Sequence, residues 1–353
     1  MSPADRHLLL VTTDDGERPG GGRELLSRLL HGVLGELYAS VTTVRLTGRT
    51  GLLAGLQGRL NGFDAARAEL TQALGDPGLT QVFIDGSNLG AVAALSRQLR
   101  PDLPVATFFH NCETRFFSDA FRVAPGLRSL GVMAGHWRAE CMALRHSQCR
   151  ITLSERDSAE LARRFGLGGT SVAAMALDDT RDPAAVAAGQ GEPYALFVGG
   201  GFFGNVEGLR WYAREVAPRL KVRTMVVGRG LDLLAGTLPE TMELVGPVDD
   251  LSPWYAGASV VVAPILSGSG MKTKVAEALM HGKRVVGTRE AFSGYGETVL
   301  AANCCVDEPE QFAAAINSAV ERNPPPFDPA LLELYERFHS RSALKAALAR
   351  ALT

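Results

Sequence analysis

The chain has 353 residues, of which 46% are hydrophobic, and its formal net charge is −2 at pH 7. A chain of this length exceeds the size at which one hydrophobic core stops growing, so the length predicts two domains. The near-neutral charge argues against a general nucleic-acid binder, which would carry a basic excess.

The cysteine spacing and the apolar runs bear on the cellular location of the protein. No two cysteines form a CxxC pair, and the first residues lack a cationic segment followed by a long apolar core. No apolar run approaches the roughly 18 residues of a spanning helix. These patterns predict reduced thiols in a cytoplasmic protein, without a zinc site or an integral membrane span. The cysteines are Cys112, Cys141, Cys149, Cys304 and Cys305.

The first predicted strand is the apolar run His7–Thr12. The glycine-rich segment Gly20–Gly22 follows, and the apolar residues from Leu25 to Val33 then predict an amphipathic helix. A buried strand, a glycine turn and a helix form the repeating unit of a doubly wound α/β domain.

Leucines recur at near-helical spacing in the next segment, among several arginines. This pattern suits a helix that lies in a membrane interface. Packing onto the domain's sheet explains the same leucines, so both interpretations stay open. The apolar residues are Leu52, Leu53, Leu56, Leu60 and Phe63, and the arginines are Arg45, Arg49, Arg59 and Arg67.

Two further apolar runs, Gln81–Ile84 and Val105–Phe109, end in polar residues. Asp85 follows the first run and His110 follows the second. Polar residues at the carboxyl ends of buried parallel strands face the ligand crevice of an open α/β sheet. His110 is therefore a candidate functional residue, although a lone histidine satisfied by local backbone fits the pattern equally well.

The end of the N-terminal half predicts a helix, a strand and then a turn that contains Ser154 and Asp157. These two residues either cap the next helix or contact a ligand. Patterning then pauses between Ala176 and Pro193, which predicts a linker. The predicted boundaries are residues 1–180 for an N-terminal domain and 190–328 for a C-terminal domain. Residues 329–353 form a terminal helical segment, in which Leu344, Leu348 and Leu352 share a face.

The C-terminal half alternates strands and helices more clearly. A strand from Tyr194 leads through a glycine turn into an amphipathic helix that ends near Pro218. Met225–Gly230 is the next strand with its turn, and Leu244–Tyr255 follows with another. Strands alternating with helices over roughly 140 residues predict a doubly wound parallel sheet.

The segment Val260–Thr288, VVVAPILSGSGMKTKVAEALMHGKRVVGT, is the most informative. An apolar strand is broken by Gly268, Ser269 and Gly270, and a helix is predicted over Thr273–Met280. A glycine loop at a helix start offers free backbone N–H groups and the positive dipole end to an anion. Lys272 and Lys274 add positive charge, so the segment predicts a phosphate or diphosphate site.

The order of residues in this segment resembles the donor-binding segment of retaining GT-B glycosyltransferases of the family-4 type (glycosyl transferases group 1), in the sub-group with a Gly-x-Gly-x-Lys-x-Lys loop. The resemblance implies two Rossmann-like domains that face each other across a cleft, with a C-terminal helix that crosses back to the N-terminal domain. The implied activity is metal-independent, retaining transfer of a sugar from a nucleotide-diphosphate sugar to a glycan or lipid-linked acceptor. The implied setting is cell-surface polysaccharide or glycoconjugate synthesis in the cytoplasm, where the protein would touch the membrane peripherally.

The same resemblance assigns roles to individual residues. Glu277 would bind the ribose hydroxyls, and His110 would contact the donor sugar near the reacting carbon. Lys272 joins these two as a candidate catalytic residue, because its charge would offset that of the departing diphosphate. The implied donor-binding residues are Gly21, Gly22, Gly200, Arg229, Gly246, Val248, Gly268, Ser269, Gly270 and Lys274.

The chain departs from the family pattern at one position. Ser269 stands where many members have a second glutamate, eight residues before Glu277, so the sugar cannot be deduced from this position. No cofactor or metal is expected, since the acidic pairs Asp14-Asp15 and Asp249-Asp250 fall in predicted turns. Retention of configuration is implied by the resemblance alone.

Two other functions fit the same architecture. A GT-B nucleotide-sugar epimerase would need cleft carboxylates for proton transfer, and Asp85, Glu113 and Glu297 form no recognisable motif for that purpose. A non-catalytic sugar-nucleotide-binding partner would keep the C-terminal motif and lose His110 or the acceptor site. Neither loss is evident in the sequence.

Overall fold

A computed structural model describes residues 6–13, 21–188 and 191–353. The chain divides into two compact units, and each is built on one parallel six-stranded sheet with helices packed against it. Unit 1 contains the first strand, residues Arg23–Ala174 and residues Leu344–Thr353, while unit 2 contains Gly21, Gly22 and residues Met175–Ala343. The predicted α/β class with two doubly wound domains is confirmed.

The sheet of unit 1 has the strand order β2-β1-β3-β4-β5-β6. The continuous apolar runs of β1, β3 and β4 are buried, as expected for parallel strands with helices on both faces. The strands are β1 His7–Thr12, β2 Ser40–Arg45, β3 Gln81–Asp85, β4 Val105–Phe109, β5 Cys149–Thr152 and β6 Ser171–Val172. The helices are α1 Gly22–Leu37, α2 Leu52–Leu56, α3 Phe63–Leu74, α4 Gly90–Leu99, α5 Glu113–Val123, α6 Leu127–His146 and α7 Glu155–Phe165.

The sheet of unit 2 has the order β12-β11-β10-β7-β8-β9. The predicted linker, Ala176 to Pro193, contains a short helix, α8 Pro183–Ala188. Strand β7 begins at Tyr194, directly after the linker. The strands are β7 Tyr194–Val198, β8 Arg223–Val227, β9 Met242–Gly246, β10 Ala258–Ala263, β11 Val285–Gly287 and β12 Cys304–Cys305. The helices are α9 Phe203–Trp211, α10 Ser252–Gly257, α11 Thr273–Met280, α12 Glu297–Ala302, α13 Pro309–Glu321 and α14 Pro329–Phe338, and the final helix, α15 Arg341–Ala351, belongs to unit 1 from Leu344 onward.

Within unit 1, the end of the chain is fixed against the sheet. Arg6 donates through Nη2 to the carbonyl of Leu352 at 2.7 Å, and Cys149 donates to that of Ala351 at 3.2 Å. The predicted face of Leu344, Leu348 and Leu352 is buried. This terminal segment therefore contributes to the core that positions β1 and β5.

The predicted leucine stripe is not a single helix. Leu52, Leu53 and Leu56 lie on α2, and Phe63 begins α3 after a break in which Gly58 and Gly62 adopt positive φ angles of 76° and 73°. Phe63 is buried, whereas Leu52 and Leu53 are 80% and 74% exposed. Core packing thus explains one end of the stripe and leaves the other end at the surface. Among the described helices, none is long and apolar enough to cross a membrane.

Candidate functional site

Both sheets have a point where the direction of strand addition reverses, and ligands of open α/β sheets bind at such points. In unit 2 the chain builds β8 and β9 on one side of β7 and then places β10 on the other side. The loops after β7 and β10 therefore meet at the carboxyl edge of this sheet. They contain Gly199–Gly201 and Gly268–Gly270.

The loop after β10 has the backbone of a tight turn. Gly268 and Gly270 have φ angles of 135° and 68°, which glycine adopts without the strain that other residues would incur. Ser269 between them is half-buried. The loop leads directly into α11, whose bounds, Thr273–Met280, agree with the prediction.

Helix α11 is buried on almost every side. It packs against β10 and α14, and Thr273 and Glu277 alone among its residues retain partial exposure. These two residues are four apart, so they lie on the same face of the helix. The single accessible face of α11 therefore presents the carboxylate of Glu277.

The hydroxyl of Tyr255 holds the carboxylate of Glu277 in place. Tyr255 donates from its hydroxyl to Oε2 of Glu277 at 2.8 Å, and its ring stacks on His281 with centroids 4.2 Å apart. The part of the chain that the structure describes gives Oε1 no hydrogen-bond donor. Burial raises the pKa of the Glu277 carboxyl, and the bond from Tyr255 and the charge of Lys274 oppose that rise.

Lys272 is buried at the start of α11 and braces the glycine loop. Its Nζ donates to the carbonyl of Gly270 at 2.8 Å and to Oε1 of Glu290 at 3.1 Å. Its own carbonyl accepts from the hydroxyl of Tyr295 at 2.8 Å. The structure therefore gives this predicted phosphate-binding cation a carboxylate partner within unit 2.

Lys274 is also buried and reaches the loop after β7. Its Nζ donates to Oδ1 of Asn205 at 2.8 Å and lies 3.9 Å from the ring centroid of Phe197. Asn205 donates in turn to the carbonyl of Gly200 at 2.7 Å. Burial, together with the nearby charge of Lys272, lowers the pKa of Lys274 to about 7.

The other donor-binding candidates of unit 2 lie around the same edge. Gly200 and Arg229 follow β7 and β8, which are neighbouring strands, and Arg229 is exposed. Gly246 ends β9 with a φ of 85°, and Val248 follows it, half-buried. The strand order thus brings most of these residues to one edge, with β9 at its far end.

Two predictions concern residues near the first strand. Gly21 precedes α1 and is exposed, and Gly22 is the first residue of that helix. Gly20 and the acidic pair Asp14-Asp15 lie outside the described residues. Within the described ranges, no group of three or more His, Cys, Asp or Glu side chains is arranged to hold a metal ion.

In unit 1 the strand order reverses between β1 and β3, and a buried polar cluster lies there. Asp85, 1% exposed, accepts from Thr12 Oγ1 at 2.9 Å and from His31 Nε2 at 3.1 Å through Oδ2. Its Oδ1 accepts from Nε2 of His110 at 2.6 Å. Burial alone would raise the pKa of Asp85, but the charges and hydrogen bonds of His110 and His31 hold it well below its usual range.

His110 itself is buried and follows β4, as predicted. Its Nδ1 is buried and has no hydrogen-bond partner among the described residues. Buried polar atoms are almost always paired, with protein, water or ligand. The sequence pattern places His110 and Asp85 at strand ends, whereas nothing in it singles out His31, which lies in the middle of α1.

Glu140 is a second buried carboxylate in unit 1, and its role is structural. It lies on α6 and accepts from the backbone N–H groups of Glu113 at 2.9 Å and Thr114 at 3.0 Å. These N–H groups open α5 and have no partner inside that helix. Burial raises the pKa of Glu140 to about 7.

Comparisons with known proteins agree with this architecture. Residues 192–322 match the family model of glycosyl transferases group 1. A search of the curated proteins found no relative that matches the chain. Similar solved structures include sucrose-phosphate synthase from Thermosynechococcus elongatus, with a TM-score of 0.73, 18% identity and 98% of both chains covered.

Two other similar structures come from different bacteria. A glycosyltransferase from Rickettsia africae has a TM-score of 0.69 and 11% identity, with 98% of this chain and 97% of that one covered. Alr3699/HepE from Anabaena, solved with UDP and glucose, has a TM-score of 0.66 and 14% identity, with 98% and 99% covered. The chain thus has the GT-B fold and carries a glycosyl transferases group 1 domain over residues 192–322, which together support a glycosyltransferase.

Proposed function

We propose that the protein transfers a sugar from a nucleotide-diphosphate sugar, held chiefly by unit 2, to an acceptor hydroxyl. The observation that carries this proposal is the geometry of Glu277. Its carboxylate lies on the one accessible face of an otherwise buried helix, at the edge where the strand order reverses. Tyr255 occupies one oxygen, and the other is available to accept from vicinal ribose hydroxyls.

The diphosphate would be held by backbone N–H groups and cations. The turn at Gly268–Gly270 and the start of α11 offer N–H groups, and the dipole of α11 favours an anion there. Arg229 is exposed at the same edge, while Lys272 and Lys274 place positive charge beneath the loops. Such groups stabilise the negative charge that develops as a nucleoside diphosphate departs.

We further propose that the reaction is metal-independent and retains the configuration of the sugar. The available cations and N–H groups support the first point, because they perform the neutralisation that a metal would otherwise provide. The second point rests on the resemblance of the donor loop to retaining enzymes. Gly21, Gly22, Gly246 and Val248 complete the proposed donor-binding set.

For the acceptor, we propose a glycan or lipid-linked molecule used in cell-surface polymer or glycoconjugate synthesis. The support is a set of strongly exposed leucines in unit 1, namely Leu52 and Leu53 on α2 and Leu127 on α6, which is 90% exposed. The two helices pack together, since Arg138 of α6 donates to the carbonyl of Leu56 at 2.9 Å. Exposed Arg45, Arg49 and Arg128 add the positive charge that anionic lipids attract.

The direct test is incubation of the protein with UDP-, GDP- and dTDP-sugars, with and without acceptor extracts. UDP-glucose is the first donor to examine, because the Anabaena neighbour was solved with it. A transferase releases nucleoside diphosphate in an acceptor-dependent way, an epimerase interconverts sugars, and a non-catalytic partner does neither. A thermal-shift screen with the same donors identifies binding separately, since a ligand of the native state raises apparent stability.

A further inference from the structure

The two ring nitrogens of His110, in the cluster around Asp85, have different surroundings. Asp85 is ionised and buried, so it can only accept, and the hydrogen in its 2.6 Å contact must come from Nε2 of His110. Nδ1 is then the only ring nitrogen left for another partner. Since Nδ1 is buried and has no partner among the described residues, the structure presents an unused hydrogen-bonding atom at the carboxyl end of β4.

The setting of Asp85 suits a group that fixes a neighbour. It ends β3 beside Thr12 of β1, at the reversal point of the unit 1 sheet. Thr12 and His31 both donate to Oδ2, which fixes the plane of the carboxylate and aims Oδ1 at His110. Three donors on one buried carboxylate leave it little freedom to rotate.

We propose that Asp85 is a positioning residue for His110, which it orients so that Nδ1 forms a hydrogen bond with a hydroxyl of the bound sugar. This inference rests on the proposed function, in which His110 contacts the sugar. Asp85 itself touches no substrate in this proposal and acts through the imidazole ring. Loss of the carboxylate would let the ring rotate, and Nδ1 would no longer be held toward the sugar hydroxyl.

A double-mutant cycle tests the proposal. Asp85→Ala and His110→Ala should each lower kcat for the active donor by about tenfold, the upper end of the range for losing one hydrogen bond. The double variant should be no more than about threefold worse than the poorer single variant, because both remove one function. Asp85→Asn, which preserves volume, replaces Asp85→Ala if the latter fails to fold.

A spectroscopic measurement detects the hydrogen on Nε2 of His110 independently of turnover. Proton–nitrogen correlation of the histidine rings should show His110 with hydrogen on Nε2, in a strongly downfield resonance that Asp85→Ala abolishes. His31→Phe removes a different donor to Asp85 and should keep that resonance.

The outcomes separate this inference from the proposed function. If no donor turns over in the wild-type protein, the proposed function fails. A His110 ring that carries no hydrogen on Nε2 would overturn the positioning role in either case. If turnover is normal but the losses of the two single variants multiply in the double variant, Asp85 and His110 act separately and the inference is wrong.

Discussion

Nζ of Lys274 lies between Oδ1 of Asn205, at 2.8 Å, and the ring of Phe197, at 3.9 Å from its centroid. A side chain of the first turn of α11 thereby supports the loop that follows β7. Burial and the charge of Lys272 lower the pKa of Lys274 to about 7, so its protonation responds to any anion that binds nearby.

We expect donor binding to take up a proton through Lys274. In the free protein the pKa of Lys274 is about 7, below the value of 10.5 in an unfolded chain, so between pH 7 and 10.5 the folded state binds fewer protons than the unfolded state. The buried lysine therefore destabilises the fold below about pH 7, and this destabilisation fades as pH rises toward 10.5. A bound diphosphate raises the pKa again. Calorimetry in buffers of different ionisation enthalpy should show up to about one proton taken up at about pH 8 and little at about pH 6. Lys274→Met should abolish the uptake, and an unchanged uptake in that variant would exclude the residue.

Replacement of Glu277 tests the ribose contact. Glu277→Ala should weaken nucleoside-diphosphate binding by about 1.5–3 kcal/mol, the size of a hydrogen bond to a charged group. Titration calorimetry measures the loss, and a thermal melt verifies that the fold is intact. Tyr255→Phe is the matched control, because it removes the neighbour's hydroxyl and keeps the carboxylate. Equal affinity in the wild type and Glu277→Ala would rule out the assignment.

Two adjacent glycines after β7 should respond differently to alanine. A Cβ at Gly201 would lie 1.8 Å from the carbonyl oxygen of Gly230, so Gly201→Ala should destabilise unit 2 by about 1–3 kcal/mol. A Cβ at Gly200 meets only the carbonyl oxygen of Arg229, at 3.7 Å. Gly200→Ala should therefore keep the melting temperature and weaken donor binding, because the methyl group crowds the proposed donor site beside the loop after β7. Wild-type affinity in Gly200→Ala would remove Gly200 from the site.

Chelation tests the metal-independent mechanism. Turnover should persist in EDTA, since cations and N–H groups of unit 2 are proposed to hold the diphosphate. The measurement is the rate of nucleoside-diphosphate release with EDTA and then with added Mg²⁺ or Mn²⁺. A strict requirement for either ion would show that the role of the donor loop is misassigned.

The exposed leucines of α2 should mediate binding to anionic membranes. Each arginine near an anionic leaflet contributes about 1 kcal/mol, so co-sedimentation with anionic vesicles should fall as salt rises. Leu52→Glu combined with Leu53→Glu should abolish it, and Arg49→Glu should reduce it. Leu233→Glu alters a leucine of unit 2 that is 52% exposed, and it serves as the control. If the Leu52 and Leu53 changes leave vesicle binding intact, a soluble acceptor becomes the better hypothesis.

The sequence predicts strands and helices well where glycines interrupt a strong apolar period. The bounds of β1, β4 and α11 agree with their predictions because each run is buried and ends at a polar residue or a glycine. The predicted strand from Val260 begins two residues earlier, at Ala258. Strand ends depend on pairing with neighbours, and the local pattern does not contain that information.

The candidate site depends more on contacts between distant residues. His31 and Asp85 are 54 positions apart, and no local pattern connects a mid-helix histidine with a strand end. Lys274 lies in the first turn of α11, and the sequence pattern predicts that its side chain is either exposed to solvent or in contact with a phosphate. Its burial follows from the packing of α11 between β10 and α14, which only the folded chain reveals.

The carboxylate of Glu140 has a consequence for the order in which unit 1 forms. It supplies the acceptor for the backbone N–H of Glu113, a residue 27 positions earlier in the chain. During synthesis α5 therefore emerges before the group that completes its first turn. Until α6 has been made, Phe117 of α5 also lacks the ring of His136, which lies 3.8 Å away between centroids. Helix α5 therefore gains these stabilising contacts only once α6 has been made.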